Sequence, residues 1–187
     1  MIFLYLISFL LLTISFFLTA KTFIIAYTLI TEVPYLPSTN KEIREIDKIL
    51  NIKNGDNVLD IGSGDGKVVL YLSKKYPNVY FTGIDRNLIL IYYSKLISIF
   101  LGRKNTSFIH ANALTFDYSR YNKIYMYLIP DFIDRVMIKL EKDIDKGTVV
   151  ISNRFLMGYI FSKTHNITKY PVKYVRKLKY IYRWIKE

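Results

Sequence analysis

Asn57-Val-Leu-Asp-Ile-Gly-Ser-Gly-Asp-Gly66 is the stretch on which the reading of this chain turns. Its first half, Asn57 to Ile61, is short, apolar and β-branched, which predicts a strand. Its second half sets Gly62, Gly64 and Gly66 around Ser63 and Asp65, and the segment from Asp65 to Lys75 behind it predicts a helix. Glycines are needed where the backbone turns tightly and a ligand must come close without a Cβ in the way. A dinucleotide fingerprint, G-x-G-x-x-G, would place its third glycine at position 67, which is Lys67. A phosphate-binding P-loop is excluded, because no G-x-x-x-x-G-K-S/T occurs. What stands here is G-x-G-x-G with an acid, Asp60, two residues ahead.

Outward from the loop, strands and helices alternate. Val79 to Ile84 predicts a second strand, and Asp85 ends it 19 residues after Gly66. An acid there can accept hydrogen bonds from both hydroxyls of a ribose. A helix is expected from Asn87 to Leu101, apolar nearly all round, with Ser94, Lys95 and Ser98 too few to shield its outer side. Ser107 to His110 predicts a third strand, with Asn112 just after it, placed to meet an adenine edge. Lys123 to Leu128 predicts a fourth. From Asp131 to Ile144, Phe132, Ile133, Val136, Met137, Leu140 and Ile144 fall on one helical face, and Gly147 stops that helix before a fifth strand, Thr148 to Ser152. In the tail, Leu178, Tyr180, Tyr182 and Trp184 alternate with Lys179, Ile181, Arg183 and Ile185, one side apolar and the other mixed. With Ile167 to Tyr174 it predicts an antiparallel hairpin. The pattern implies an α/β fold, a Rossmann-like parallel sheet with helices on both faces, closed by a C-terminal antiparallel hairpin.

The N-terminus differs in kind. Ile2 to Ala20 holds no charge, and after Lys21 a second apolar run continues to Thr31. A bilayer-crossing helix needs about 20 apolar residues. The run is too long for a signal peptide and no basic residue precedes it. We therefore expect one retained transmembrane helix within residues 1–30 and a catalytic domain over residues 31–187. The whole net charge of +12 lies beyond residue 40, where 26 basic residues face 14 acidic ones. Positive flanks stay on the interior side, so the expectation is a single-pass membrane protein whose domain faces the cytoplasm or an equivalent compartment. With 187 residues the chain suits one domain and a short appendage. It has no cysteine, which excludes thiolate metal sites and cysteine nucleophiles, and only His110 and His165 as histidines, so no metal is expected.

Asp60-Ile-Gly-Ser-Gly-Asp-Gly66 resembles the loop that binds S-adenosylmethionine, in which the acid and the loop backbone meet a cationic amino-acid moiety. A parallel sheet ending in an antiparallel pair is similarly the architecture of class I methyltransferases. Two further segments, Val33-Pro-Tyr-Leu-Pro-Ser-Thr39 and Leu140 to Phe155, resemble those of a family of protein lysine methyltransferases. It includes small archaeal enzymes and membrane-anchored mitochondrial enzymes that modify the ATP synthase c-subunit and the adenine nucleotide translocase. The resemblance spans residues 33–155, with Lys67, Asp85 and Asn112 standing where many or some members carry Arg, Glu and Asp. It implies S-adenosylmethionine as cofactor, bound by Asp60, Gly62, Ser63, Gly64, Gly66, Asp85 and Asn112, and a protein lysine as substrate. Tyr127-Leu-Ile-Pro130 is not the Asn/Asp-Pro-Pro-Tyr clamp used on exocyclic amines of bases.

Such chemistry asks the protein to deliver a neutral amine. At a reference pKa of ~10.4, roughly one lysine in 2,500 is neutral at pH 7. An apolar, aromatic channel beside a cationic cofactor lowers that pKa. Tyr35, Tyr127, Asn153 and Phe155 are the candidates to line it, beside the cofactor entrance or at the carboxyl ends of strands. Ser38 or Thr39 is placed to cap a helix running to Leu50. Lys163 to Glu187 carries eight basic residues and one acid, so the expected partners are a protein substrate and the membrane, with RNA less favoured. An RNA methyltransferase, or one acting on a lipid or quinone, is the alternative.

Overall fold

The structure is a computed structural model, which describes residues 2–30, 37–173 and 178–187. The chain divides into two compact units, Met1–Leu36 and Pro37–Glu187.

The first unit holds helix α1, Ile2–Ile30. Within it Ile2–Thr22 is long and apolar enough to cross a membrane. At 1.5 Å per residue that stretch spans about 31 Å, the thickness of a bilayer's hydrocarbon core. Four of its hydroxyls find partners inside the helix, on Ser8, Thr13, Thr19 and Thr22: Ser8 Oγ donates to the Leu4 carbonyl (2.9 Å) and Thr13 Oγ1 to that of Leu10 (2.7 Å).

The second unit runs α2 (Asn40–Leu50), β1 (Asn57–Ile61), α3 (Lys67–Lys75), β2 (Tyr80–Asp85), α4 (Leu88–Phe100), β3 (Thr106–His110), β4 (Lys123–Met126), α5 (Pro130–Asp143), β5 (Val149–Asn153), α6 (Tyr159–Thr164), β6 (Thr168–Lys173) and β7 (Leu178–Ile185). The seven strands form one sheet in the order β3-β2-β1-β4-β5-β7-β6. The first five are parallel, and β7 pairs antiparallel with both β5 and β6. This is the expected doubly covered sheet with its hairpin.

Two apolar layers fill its faces. Ile43, Ile46 and Leu50 of α2, Val69 and Leu72 of α3 and Ile91 of α4 pack on one side with Phe81, Phe108 and Tyr125. Ile133, Val136, Met137 and Leu140 of α5 and Phe161 of α6 pack on the other with Leu59, Ile124, Val150 and Trp184.

Several boundaries differ from the sequence reading, each for a local reason. Helix α3 begins at Lys67 rather than Asp65, because Gly66, at φ 75°, is its left-handed N-cap. Strand β4 ends at Met126, as Pro130 already starts α5. Of the two candidate caps for α2 it is Thr39 that serves, in a capping box with Glu42. In β7 the apolar-and-mixed alternation does not divide inside from outside. Ile181 and Trp184 point to opposite faces and both are buried, because the strand lies inside the sheet between β5 and β6. Tyr174 lies outside the described residues.

Candidate active site

The glycine loop folds over the end of β2. The Gly62 and Ser63 amides both donate to the Ile84 carbonyl at 2.9 Å, and the Gly66 amide closes the turn onto the Ser63 carbonyl. Asp85, at the tip of β2, accepts from the Gly64 amide through Oδ2 (2.9 Å) and from the Asn87 amide through Oδ1 (2.7 Å). It thus ties the loop to the start of α4, and each oxygen keeps lone-pair capacity for another donor. Gly66 is required twice over. Its φ is positive, and a Cβ there would lie 2.7 Å from the Phe108 ring and 2.9 Å from Ser94 Oγ.

The electrostatics of this corner are unusual. Asp60 is only 4% exposed, and burial first, then the Asp85 and Asp65 carboxylates, hold its pKa well above its ordinary value. Burial also raises Asp85, against the pull of its backbone donors. Ser63 Oγ is buried with no hydrogen-bond partner among the described residues. A buried acid among acids and an orphaned hydroxyl are relieved by a cationic ligand that also carries polar groups. The residues therefore fit a cationic amino-acid moiety at this loop. Asn112 lies exposed in the turn after β3, where its Oδ1 accepts from the Leu114 amide (3.0 Å), leaving its NH₂ end for a ligand.

A second cluster adjoins the first. Asp60 of β1 and Tyr125 of β4 are register partners. The Tyr125 hydroxyl sits 2.8 Å from Ser38 Oγ and accepts from Asn153 Nδ2 at 3.3 Å. Burial drives its pKa far upward, with the Asp60 charge adding to the effect. Beyond the ends of β4 and β5, the Tyr127 and Phe155 rings lie 6.0 Å apart, centroid to centroid. The Arg154 guanidinium sits 5.0 Å from the Tyr127 centroid.

Arg154 is in the left-handed region, φ 66°, and its Nε donates to Glu42 Oε1 at 2.6 Å. Glu42 in turn accepts from the Thr39 amide (2.7 Å), and Lys67 Nζ donates to the Ser38 carbonyl (2.8 Å). These bonds strap Pro37–Thr39 across the carboxyl ends of the strands. Strained non-glycine backbone held by such partners is characteristic of functional sites.

Of the candidate channel residues, Tyr127, Asn153 and Phe155 come together here, while Tyr35 lies outside the described residues. Sequence reasoning passed over Tyr125, Glu42 and Arg154. Only the Thr39–Glu42 capping spacing could have flagged one of them.

A family model described as the ANTKMT methyltransferase domain matches residues 60–163. The human ATP synthase c-subunit lysine N-methyltransferase is 28% identical over 124 residues, covering 66% of this chain and 52% of the relative. This chain thus spans about half the length of that relative. A protein-lysine N-methyltransferase of Saccharolobus islandicus is 28% identical over 131 residues, covering 67% of this chain and 79% of that one. Among solved structures, an RNA methyltransferase from Salinibacter ruber, in complex with S-adenosyl-L-homocysteine, superposes with a TM-score of 0.71 at 21% identity. It covers 81% of this chain and 95% of that one, and the likeness is one of fold.

Proposed function

The chain belongs to the ANTKMT methyltransferase family and has the class I Rossmann-like methyltransferase fold, and from that premise we propose that it N-methylates lysine side chains of membrane or membrane-associated proteins. The observation that carries this reading is the adjacency of two clusters. The buried acid of the glycine loop, Asp60, is the register partner of Tyr125, which begins the aromatic cluster of Tyr127, Phe155 and Arg154.

S-adenosylmethionine, when bound, supplies a methyl group on a sulfonium, open to in-line attack by an amine. The chain's own residues do the rest. Asp60 and Ser63 would hold the cationic amino-acid end, Asp85 the ribose hydroxyls and the Asn112 amide the base. The Tyr127 and Phe155 rings would flank the lysine stem and strip water from its amine, which favours the neutral nucleophile. Asn153 acts at one remove, by fixing the Tyr125 hydroxyl. Arg154, paired with Glu42, lies against the Tyr127 ring and helps hold it in place.

In the same reading α1 spans the bilayer once, and the excess positive charge beyond residue 40 keeps the second unit on the cytoplasmic or equivalent side. The two named lysine methyltransferases support the substrate class. The test is to incubate the purified full-length protein with methyl-labelled S-adenosylmethionine and membrane extract, then separate protein, RNA and lipid. Label recovered on lysine in the protein fraction is the expected result. Label confined to RNA or lipid overturns the substrate assignment.

A further inference from the structure

Helix α4 wears its polarity inside out. Ser94 and Ser98 are buried: Ser94 Oγ donates to the Leu90 and Gly64 carbonyls (2.9 and 3.1 Å), and Ser98 Oγ lies 2.6 Å from Thr106 Oγ1. Facing outward are Tyr92, Leu96 and Ile99, which are 59%, 54% and 75% exposed, with Leu88 and Ile89 toward the start of the helix. A helix that met only water would carry the opposite arrangement. A contiguous apolar face of this kind marks an interaction site.

The charge around the face says what it meets. From Arg86 to Phe116 the chain carries no Asp or Glu, while Arg86, Lys95, Arg103 and Lys104 are basic. Arg86, Lys95 and Lys104 are exposed. Lys95 Nζ lies 6.0 Å from the Tyr92 ring centroid, which places a cation beside the outward face. An apolar stripe bordered by cations is the composition of a helix that lies in the headgroup region of an anionic bilayer. A two-fold contact between copies would instead set these like charges against one another. The same chain carries a helix long and apolar enough to cross a membrane.

We propose that the outer face of α4 docks on an anionic membrane surface. The proposal builds on the membrane reading above, since a unit seated this way meets its substrates at the bilayer.

The chain has no cysteine, so single-cysteine labelling is clean. Leu96→Cys, Ile99→Cys, Phe9→Cys in α1 and Ser119→Cys, an exposed loop position, would each carry an environment-sensitive fluorophore on the full-length protein. The proteins are reconstituted into vesicles of phosphatidylcholine with a third phosphatidylglycerol, with and without acyl-chain nitroxide lipid. Blue-shifted emission and severalfold quenching by the nitroxide at Leu96 and Ile99, but not at Ser119, is the expected result. It should weaken severalfold in pure phosphatidylcholine. Unquenched probes at Leu96 and Ile99 with a quenched probe at Phe9 overturn docking and leave the span standing. Quenched probes on α4 with an unquenched one at Phe9 support docking and remove the span. A blue shift without lipid quenching, or one that scales with protein density, means that protein covers the face, and the proposal fails. Quenching that is the same in pure phosphatidylcholine also overturns it.

Discussion

Asp60 is held at odds with its surroundings until a ligand arrives. Its folded pKa is raised above the unfolded value of about 3.9, so below that value the acid is protonated in both states and folding carries no penalty from it. Between that value and the raised pKa the unfolded chain has released a proton that the folded protein still holds, so stability falls as pH rises across this window. Asp60→Asn should therefore raise the melting temperature of the ligand-free protein at neutral pH. The same change should weaken S-adenosylmethionine by ~1.5–3 kcal/mol, roughly 10- to 150-fold. In the wild type, affinity should increase with pH across that range, and in the variant it should not. Calorimetry and thermal melts at several pH values check both halves. A variant that binds as tightly as wild type would remove Asp60 from the cofactor site. Gly66→Ala should cost about 1–3 kcal/mol of stability, from left-handed strain and collision with Phe108, read as a lowered urea midpoint. The loop was legible because strand, glycines and acid lie within ten consecutive residues. The Glu42–Arg154 pair was not, because 112 positions separate its members and only the assembled sheet edge brings them together.

Among the elements, all but α6 were legible from local pattern. Helix α5 and strands β1 and β5 follow from local pattern. Helix α6 has six residues, too few to display a period, and is recognised only by Phe161 stacking on His165 and meeting Trp184 edge-on. Helix α4 was expected from its apolar run, but which side faces in depended on two serines finding partners in the glycine loop and β3. Neighbouring residues on it now make a sharp contrast. Ile91, 1% exposed, packs with Phe81 and Phe108, and Ile91→Glu should abolish folding or remove more than about 4 kcal/mol of stability. Tyr92→Glu points outward and should change stability by no more than about 0.5 kcal/mol. Circular dichroism melts of the two variants decide it. Equal loss in both would mean that the outer face is core.

At the scale of the molecule, division at Leu36 separates an apolar helix from a unit with its own two-layered core. Full-length protein should stay with membranes through carbonate and high-salt washes, whereas deletion of residues 1–30 should leave a protein that high salt strips from membranes and that binds S-adenosylmethionine with unchanged affinity. Loss of the full-length protein from washed membranes would contradict the anchor. The charge distribution, with nothing but Lys21 and Glu32 charged before residue 41, led to an expected boundary after residue 30, whereas the compact units meet at Leu36 and Pro37. The position of β7 was not, because pairing with β5 and β6 together is a non-local choice. That position also sets a timetable. Strands β5 and β6 precede in the chain the strand that lies between them, so until β7 docks the folding sheet stops at β5 with its backbone groups open. The bare edge persists until Trp184 and Ile181 arrive and close it from both faces. During that interval the newborn chain is most exposed to mispairing, and a messenger truncated before codon 178 would leave every copy in that state.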